Sequence, residues 1–390
     1  MGEPTVVTGP SFEFATAARI VVGAGESAQL PSIVSGLGSR ALVCTGSQAQ
    51  RHAELLDRLA VPYTTFAVSG EPTLEIARAA TAVAGEYGAD IIIGIGGGSV
   101  LDLGKAVAML LGNGGDPLDY LEVVGRGQKI TQASRSYIAV PTTAGTGAEV
   151  TANATLVSPE HGIKASLRSP LMLPRVALVD PLLALSCPPQ VTAASGLDAL
   201  TQCLEPLVSI KANPLTDALA AQGLRHAAAG LRRAYADGGD RSARTDMAVC
   251  SLLGGLALAN AKLGAVHGFA GVVGAMFDVP HGAACAALLA PVVEVNVRAL
   301  RRRQPGNPAL ERYAQAARLL TGGADASIDD GLAWIRETVA LLNVAGLDTF
   351  GLRGEQADEV VAKAAKSSSM QGNPIALQDD ELHEILAEAA

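Results

Sequence analysis

The chain has 390 residues, a formal net charge of −9, 49% hydrophobic and 17% charged residues. It is long enough for two or three domains with their own cores, and too apolar to be largely disordered. An acidic balance with no long basic block makes nucleic acid and anionic membranes poor partners. Aromatic residues are only 3% against 43 glycines, so the cores are expected to be built from small and aliphatic side chains.

Residues 1–14 lack the positive start and apolar run of a secretion leader. From residue 19 to about 182, short β-rich runs alternate with helical stretches. Residues 19–23, 41–46, 63–66, 91–95, 137–141 and 176–180 read as strands, and residues 47–59, 73–87 and 99–111 as helices. Apolar strands without alternation, separated by helices, predict a parallel sheet covered on both faces. The apolar stretch 91–111 contains Asp102 and Lys105 and does not read as a membrane span. After Asp180-Pro181 the strand runs stop. Residues 191–208, 214–235, 243–263 and 307–320 carry helical periodicity, so a second, all-helical domain is expected. The run Arg301-Arg302-Arg303 fits a solvated helix end. Cys44, Cys187, Cys203, Cys250 and Cys285 show no CxxC spacing, which suits reduced thiols in the cytoplasm. Cys203, beside the Asp198 segment, reads as core packing.

Three segments carry chemistry. In residues 91–99 a buried strand empties into Gly96-Gly97-Gly98-Ser99, where backbone N–H groups can approach a pyrophosphate at a helix start. The plainer reading is a tight turn. Asp102 and Lys105 in the next turns make the segment more distinctive, although it is not a GxGxxG fingerprint. Next, Pro141-Thr142-Thr143-Ala144-Gly145-Thr146-Gly147-Ala148-Glu149-Val150-Thr151 gathers small polar groups after a strand, at the carboxyl edge where parallel sheets bind ligands. Third, Asp198 and Gln202 share one helix face, and His267 and His281 lie in one glycine-broken segment. On a continuous helix those two histidines would stand about 21 Å apart along the axis. Gly271, Gly274 and the break Asp278-Val279-Pro280 are therefore expected to fold the chain back. A metal site and a nucleotide site in one chain point to a dehydrogenase.

The GGGS-x-x-D-x-x-K segment, the PTTAGTGAEVT loop, Asp198 and the His267/His281 pair together resemble the iron-containing (group III) alcohol dehydrogenases of the dehydroquinate-synthase-like superfamily. The resemblance runs nearly end to end, through Asn213-Pro214-Leu215-Thr216-Asp217-Ala218 and the tail from Asn373-Pro374. It implies an α/β plus all-α fold, with a parallel-sheet dinucleotide-binding domain over residues 1–182. A helical metal- and substrate-binding domain would cover residues 183–390, the active site lying in the cleft between them. The implied activity is hydride transfer between NAD or NADP and a small alcohol or carbonyl, assisted by a divalent metal such as Fe²⁺ or Zn²⁺. Gly97, Gly98 and Ser99 would hold the pyrophosphate, and Thr142, Thr143 and Thr146 would line the nucleotide. Asp102 would lie near the nicotinamide and Lys164 would reach a ribose. Family members form dimers or larger homo-oligomers.

Two departures stand out. The family's first metal histidine, four residues after the aspartate, is Gln202 here; a further histidine, thought to assist proton transfer, is Gly271. The metal set becomes Asp198, Gln202, His267 and His281. An amide oxygen keeps the site charge but donates less strongly, which implies weaker binding and less metal discrimination. Three good donors still suffice for a catalytic ion. The alternatives are a metal-free, maleylacetate-reductase-like reductase of an unsaturated or oxo acid, a dehydroquinate-synthase-like lyase and a non-catalytic nucleotide binder. Where the family often carries an aspartate on the adenosine ribose, this chain has Gly46, followed by Ser47 and Arg51, which favours NADPH or dual use. Lys262 would suit an anionic substrate if it faced the cleft, and is otherwise a solvated helix lysine. His52, His161, His226 and His383 read as surface or interhelix residues.

Overall fold

The computed structural model describes residues 11–390; the first ten positions of the stretch read as lacking a leader lie outside the described residues. The N-terminal part runs β1 (Ile20–Val22), α1 (Leu30–Ser35), β2 (Ala41–Gly46), α2 (Ala53–Leu56), β3 (Tyr63–Val68), α3 (Leu74–Tyr87), β4 (Ile91–Gly96), α4 (Gly98–Asn113), α5 (Pro117–Tyr120) and β5 (Ser136–Pro141). A hairpin, β6 (Asn153–Ser158) and β7 (Ile163–Arg168), precedes β8 (Val176–Val179). Among the described residues, six strands form one parallel sheet in the order β1-β8-β5-β4-β2-β3. β4 is buried along its whole length, because Ile92 faces one apolar core and Ile91, Ile93 and Ile95 face the other. That explains its unbroken apolar sequence: both faces are covered.

The strand order reverses between β2 and β4, whose chain connections leave in opposite directions. Their carboxyl ends, Gly46 and Gly96, therefore flank a crevice of the kind in which open α/β sheets bind ligands. Thr142 follows β5 at the same edge, and its amide donates to Gly96 O at 2.9 Å.

The C-terminal part is helical: α6 (Pro189–Val208), α7 (Pro214–Ala236), α8 (Arg241–Ala261), α9 (Ala265–Phe277), α10 (His281–Arg303), α11 (Ala309–Thr321), α12 (Ile328–Leu341), α13 (Ala357–Ala364) and α14 (Asp379–Glu388). Local chemistry sets several of these ends. Asn213 caps α7 with a reciprocal bond from Thr216, and Asp240 caps α8 through Ala243 N; each cap satisfies amides that the helix leaves unpaired. α10 is long and apolar enough to cross a membrane by length and composition, yet 78% of its apolar window is buried inside the fold.

Three expectations need correction. Residues 47–59 do not form a full helix: they make a 3-10 turn at Ala49–His52 and the single turn α2. Only Leu55 and Leu56 are buried there, too narrow an apolar stripe to stabilise more. The hairpin β6–β7 was not expected, because Thr, Ser, Asn, Lys and Arg interrupt its apolar residues, although the fold buries alternate positions such as Ala154, Leu156 and Leu167. The helix expected over residues 243–263 ends at Ala261, where Lys262 takes a left-handed φ of 61°.

The two parts meet where an apolar cluster joins Val150, Ala177 and Val179 to Ala248, Leu252 and Leu256 of α8. Gly147 (φ 59°) passes directly over Gly255 of α8, and a β-carbon at Gly255 would sit 2.5 Å from Gly147 O and 2.7 Å from its Cα. Backbone cannot yield at that distance. Gly255→Ala is expected to lower the unfolding free energy by roughly 1–3 kcal/mol, read as a lower urea midpoint; an unchanged midpoint would mean that the loop and α8 are not packed in this way.

Candidate active site

The carboxyl edge of the sheet is built from three loops. Gly97 is the N-cap of α4 and supplies no side-chain cap, so the first amides of that helix face outward as a ready anion site. A β-carbon at Gly98 would lie 2.7 Å from Thr146 Cγ2, and one at Gly97 would lie 3.2 Å from Thr143 Oγ1. The glycine and threonine loops are therefore in direct contact. At the neighbouring corner Gly46 has open space: a side chain there would meet nothing within 4 Å. Ser47 and Arg51 are exposed beside it.

Below this edge lies a buried polar cluster. Lys105, 1% exposed, places its ammonium 3.0 Å from Asp102 Oδ1 and donates to Thr151 Oγ1 at 2.9 Å. The Thr155 amide donates to Asp102 Oδ2 at 3.0 Å. Burial raises the Asp102 carboxyl above its ordinary value, and Lys105 opposes the shift. Glu149 is also buried, and desolvation pushes it up to about 7. Lys164 pairs with Glu71 at 3.1 Å, and its Nζ would be 3.2 Å from a β-carbon at Gly274 of α9. It thus spans from the hairpin to the helix that bears His267.

That helix carries half of a second cluster. Asp198 and Gln202 lie one turn apart on α6, both buried. His267 is the third residue of α9 and His281 the first of α10. The chain turns back at Asp278, whose φ is 54°, while Gly271 and Gly274 stay inside a continuous α9; only the Asp278-Val279-Pro280 break was needed. The imidazole centroids stand 5.4 Å apart. His267 Nε2 is 3.2 Å and His281 Nε2 3.9 Å from Asp198 Oδ1.

Two members of this cluster were missed in the sequence. Glu205, seven residues after Asp198 and on the same face of α6, accepts from Val266 N at 2.7 Å and contacts His267 Nδ1 at 2.7 Å. Cys285, one turn after His281, puts Sγ 3.8 Å from His267 Nε2 and 3.7 Å from His281 Nε2. Ligand atoms of Asp198, His267, His281 and Cys285 all lie within 4.8 Å of one another. Gln202 helps to lower the Asp198 carboxyl, and its Oε1 is buried without a partner.

The electrostatics match a cation site. Burial alone would raise the Asp198 carboxyl, but the bond from His267 and the charge of His281 hold it below its ordinary value. Burial opposes the charged form of His267, yet Cys285, Glu205 and Asp198 raise it well above the usual imidazole range. His281 is pushed up to about 9, first by Cys285. An unpartnered buried oxygen beside carboxylate, thiol and imidazoles is a donor set that fits a divalent ion.

Other positions are ordinary. Lys262 is exposed and donates to Gln371 Oε1 at 3.2 Å, in keeping with a solvated lysine. Cys203 is a core residue, its sulfur 3.9 Å from that of Cys250. All five cysteines are free.

Comparison with known proteins agrees with this geometry. The profile described as "Iron-containing alcohol dehydrogenase" matches residues 17–181, and that of the "Fe-containing alcohol dehydrogenase family, C-terminal" matches residues 192–390. The chain belongs to the iron-containing alcohol dehydrogenase family. It is 39% identical to Long-chain-alcohol dehydrogenase 1 of Geobacillus thermodenitrificans (strain NG80-2), over 69% of this chain and 69% of that enzyme. A crystal structure of 1,3-propanediol oxidoreductase matches at TM-score 0.90 and 30% identity, covering 98% of this chain and 100% of that one. Sulfoacetaldehyde reductase from Bifidobacterium kashiwanohense, solved with NAD⁺, matches at TM-score 0.85 and 27% identity, covering 98% and 99%. The chain is accordingly an oxidoreductase acting on CH–OH groups, with a nicotinamide cofactor and a divalent metal.

The Glu149 carboxyl has a defined consequence for stability. Its value in the fold is about 7, against 4.5 ordinarily, so between those pH values the folded chain binds more protons than the unfolded one. Stability from this group is complete below pH 4.5 and declines as pH rises toward 7. Glu149→Gln is expected to remove that decline and to stabilise the protein at pH 8 by up to about 3 kcal/mol. Urea titrations at pH 5 and pH 8 measure it; an equal effect at both pH values would refute a buried, protonated Glu149.

Proposed function

We propose that this chain is an NAD(P)-dependent alcohol dehydrogenase working on small alcohols and aldehydes or ketones, with its division between domains near residue 182. The supporting observation is the convergence of an uncapped helix start, two apposed ligand-type loops and a buried cluster of metal donors between one sheet edge and one group of helices. Asp198, His267 and His281 would hold Fe²⁺ or Zn²⁺, with Gln202 beside them. When bound, the ion polarises the substrate oxygen, and the nicotinamide gives or takes hydride.

The protein's part is positioning. Gly97, Gly98 and Ser99 offer amides to the pyrophosphate, and Thr142, Thr143 and Thr146 border the nucleotide. Asp102, tied to Lys105 and the Thr155 amide, keeps a fixed carboxylate near the nicotinamide. Lys164 reaches a ribose hydroxyl from its pairing with Glu71. Catalytic roles fall to Asp102, Asp198, His267 and His281. A side chain at Gly271 would meet nothing within 4 Å, so water there can carry the proton between substrate and solvent. The acidic balance and the burial of four of the five free cysteines support a cytoplasmic enzyme of small molecules, independent of nucleic acid and membranes. We read it as a homo-oligomer, dimeric or larger, by resemblance to its family.

Protein purified without chelator should carry near-stoichiometric divalent metal. EDTA should abolish carbonyl reduction, and Fe²⁺ or Zn²⁺ should restore it; undiminished turnover after complete metal removal would replace this reading with a metal-free reductase. The open corner at Gly46 leaves a 2′-phosphate unopposed, so NADPH is expected to serve. Gly46→Asp should lower kcat/KM for NADPH relative to NADH by about 10–100-fold, the cost of juxtaposing like charges. A constant ratio would mean that the corner does not read the 2′ position.

A further inference from the structure

Resting on the metal-dependent reading above, we propose that Cys285 is the fourth protein ligand of the ion, its thiolate standing in for the imidazole that Gln202 replaces. The geometry points there directly. Around a tetrahedral ion with ordinary Zn–N, Zn–O and Zn–S bond lengths, N···O donor pairs are about 3.3 Å apart and S···N pairs about 3.6 Å. The protein holds His267 Nε2 and Asp198 Oδ1 at 3.2 Å, and Cys285 Sγ at 3.8 Å from His267 Nε2 and 3.7 Å from His281 Nε2. The widest of the measured pairs, His281 Nε2 to Asp198 Oδ1, is 3.9 Å. Four of the six donor pairs, contributed by three helices, thus already stand near the spacings of one coordination shell, and all four ligand atoms lie within 4.8 Å of one another.

The sulfur is placed there by helix periodicity. Cys285 lies one turn after His281 on α10, on the face that meets α6, and it is fully buried. The other four thiols have different surroundings: Cys203 pairs with Cys250, Cys187 donates to Thr142 O, and Cys44 lies in the sheet core. Gln202 sits one turn from Asp198 on α6 and favours the charged form of that carboxyl.

A thiolate changes the metal chemistry in two ways. It replaces a neutral donor with an anion, so carboxylate and thiolate together balance a dication. It also favours the thiophilic ions Zn²⁺ and Co²⁺ over Mn²⁺.

The test uses the full-length protein, stripped with chelator and reloaded with Co²⁺. A sulfur-to-cobalt charge-transfer band in the near ultraviolet should appear at one equivalent. It should vanish in Cys285→Ser, with far-UV circular dichroism unchanged and Co²⁺ affinity reduced at least about tenfold. It should persist in Gln202→Ala. Stoichiometric Co²⁺ without the band in the unmutated protein would overturn the thiolate assignment while leaving a metal site of oxygen and nitrogen donors. A band that survives Cys285→Ser would also overturn it. No Co²⁺ binding at all would sink both this assignment and the metal-dependent reading beneath it.

Discussion

The site hangs on Glu205. One oxygen accepts the Val266 amide at 2.7 Å, and the other meets His267 Nδ1 at 2.7 Å. The first bond puts a carboxylate on the N-terminus of α9, where unpaired amides and the helix dipole favour negative charge. The second fixes the ring: with Nδ1 held by Glu205, Nε2 faces Asp198, donating to it when no ion is present and turning its lone pair to an ion bound there, the usual arrangement of a metal-binding histidine and its carboxylate partner. Asn373 supports the same turn by accepting from Ala265 N at 3.1 Å. The 99° bend between α8 and α9 would otherwise expose these amides inside a packed domain. One buried carboxylate thus fixes a helix direction and a ring orientation together.

The link between nucleotide edge and metal cluster depends on how closely backbones approach α6. A β-carbon at Gly145, in the threonine loop, would lie 2.8 Å from Ser195 Cβ; one at Gly282, at the start of α10, would lie 2.6 Å from Ala194 O. Both contacts fall within one turn of Asp198. The same stretch of α6 therefore receives the threonine loop, proposed to border the nucleotide, and the helix that delivers His281 and Cys285. Larger residues at those points would separate the two ligand sites, and positional errors of an ångström between reacting groups are costly in rate. Glycine abundance in this chain has a physical reading here: it permits close helix and loop crossings, beyond its use in turns.

Much of this was legible in the sequence because the signals were strong and local. Six apolar runs separated by helical stretches specify the parallel sheet, and the glycine loop after residues 91–95 falls at its carboxyl edge. Asp198, His267 and His281 could be named because they are ligand types at a recognisable spacing. Glu205 and Cys285 were not, although each repeats a helix period from a residue already named, at i+7 from Asp198 and i+4 from His281. A buried glutamate and a buried cysteine have plainer uses, and only the crossing of α6, α9 and α10 shows which face they share. The hairpin β6–β7 escaped for a different reason: alternation of small polar residues also occurs in loops. Its role is nevertheless specific, since it supplies the Thr155 amide to Asp102 and carries Lys164.

The two lost imidazoles act on one quantity, the charge of the pocket. With one carboxylate and three neutral imidazoles, a divalent ion leaves an excess of one positive charge. With Asp198 and a thiolate at Cys285, that excess is cancelled, so negative charge developing on the substrate oxygen gains less from the site itself. Proton supply then matters more, because an early proton removes the charge that the pocket no longer balances. Gly271, four residues after His267 on α9, leaves open space where a histidine would have provided one titrating group. Water in that space has no single pKa to match and no fixed pH window. A pocket that has given up positive charge and a dedicated proton carrier together is internally consistent: it exchanges a tuned acid for access to solvent, and the Glu205 clamp keeps His267 in place while it does so.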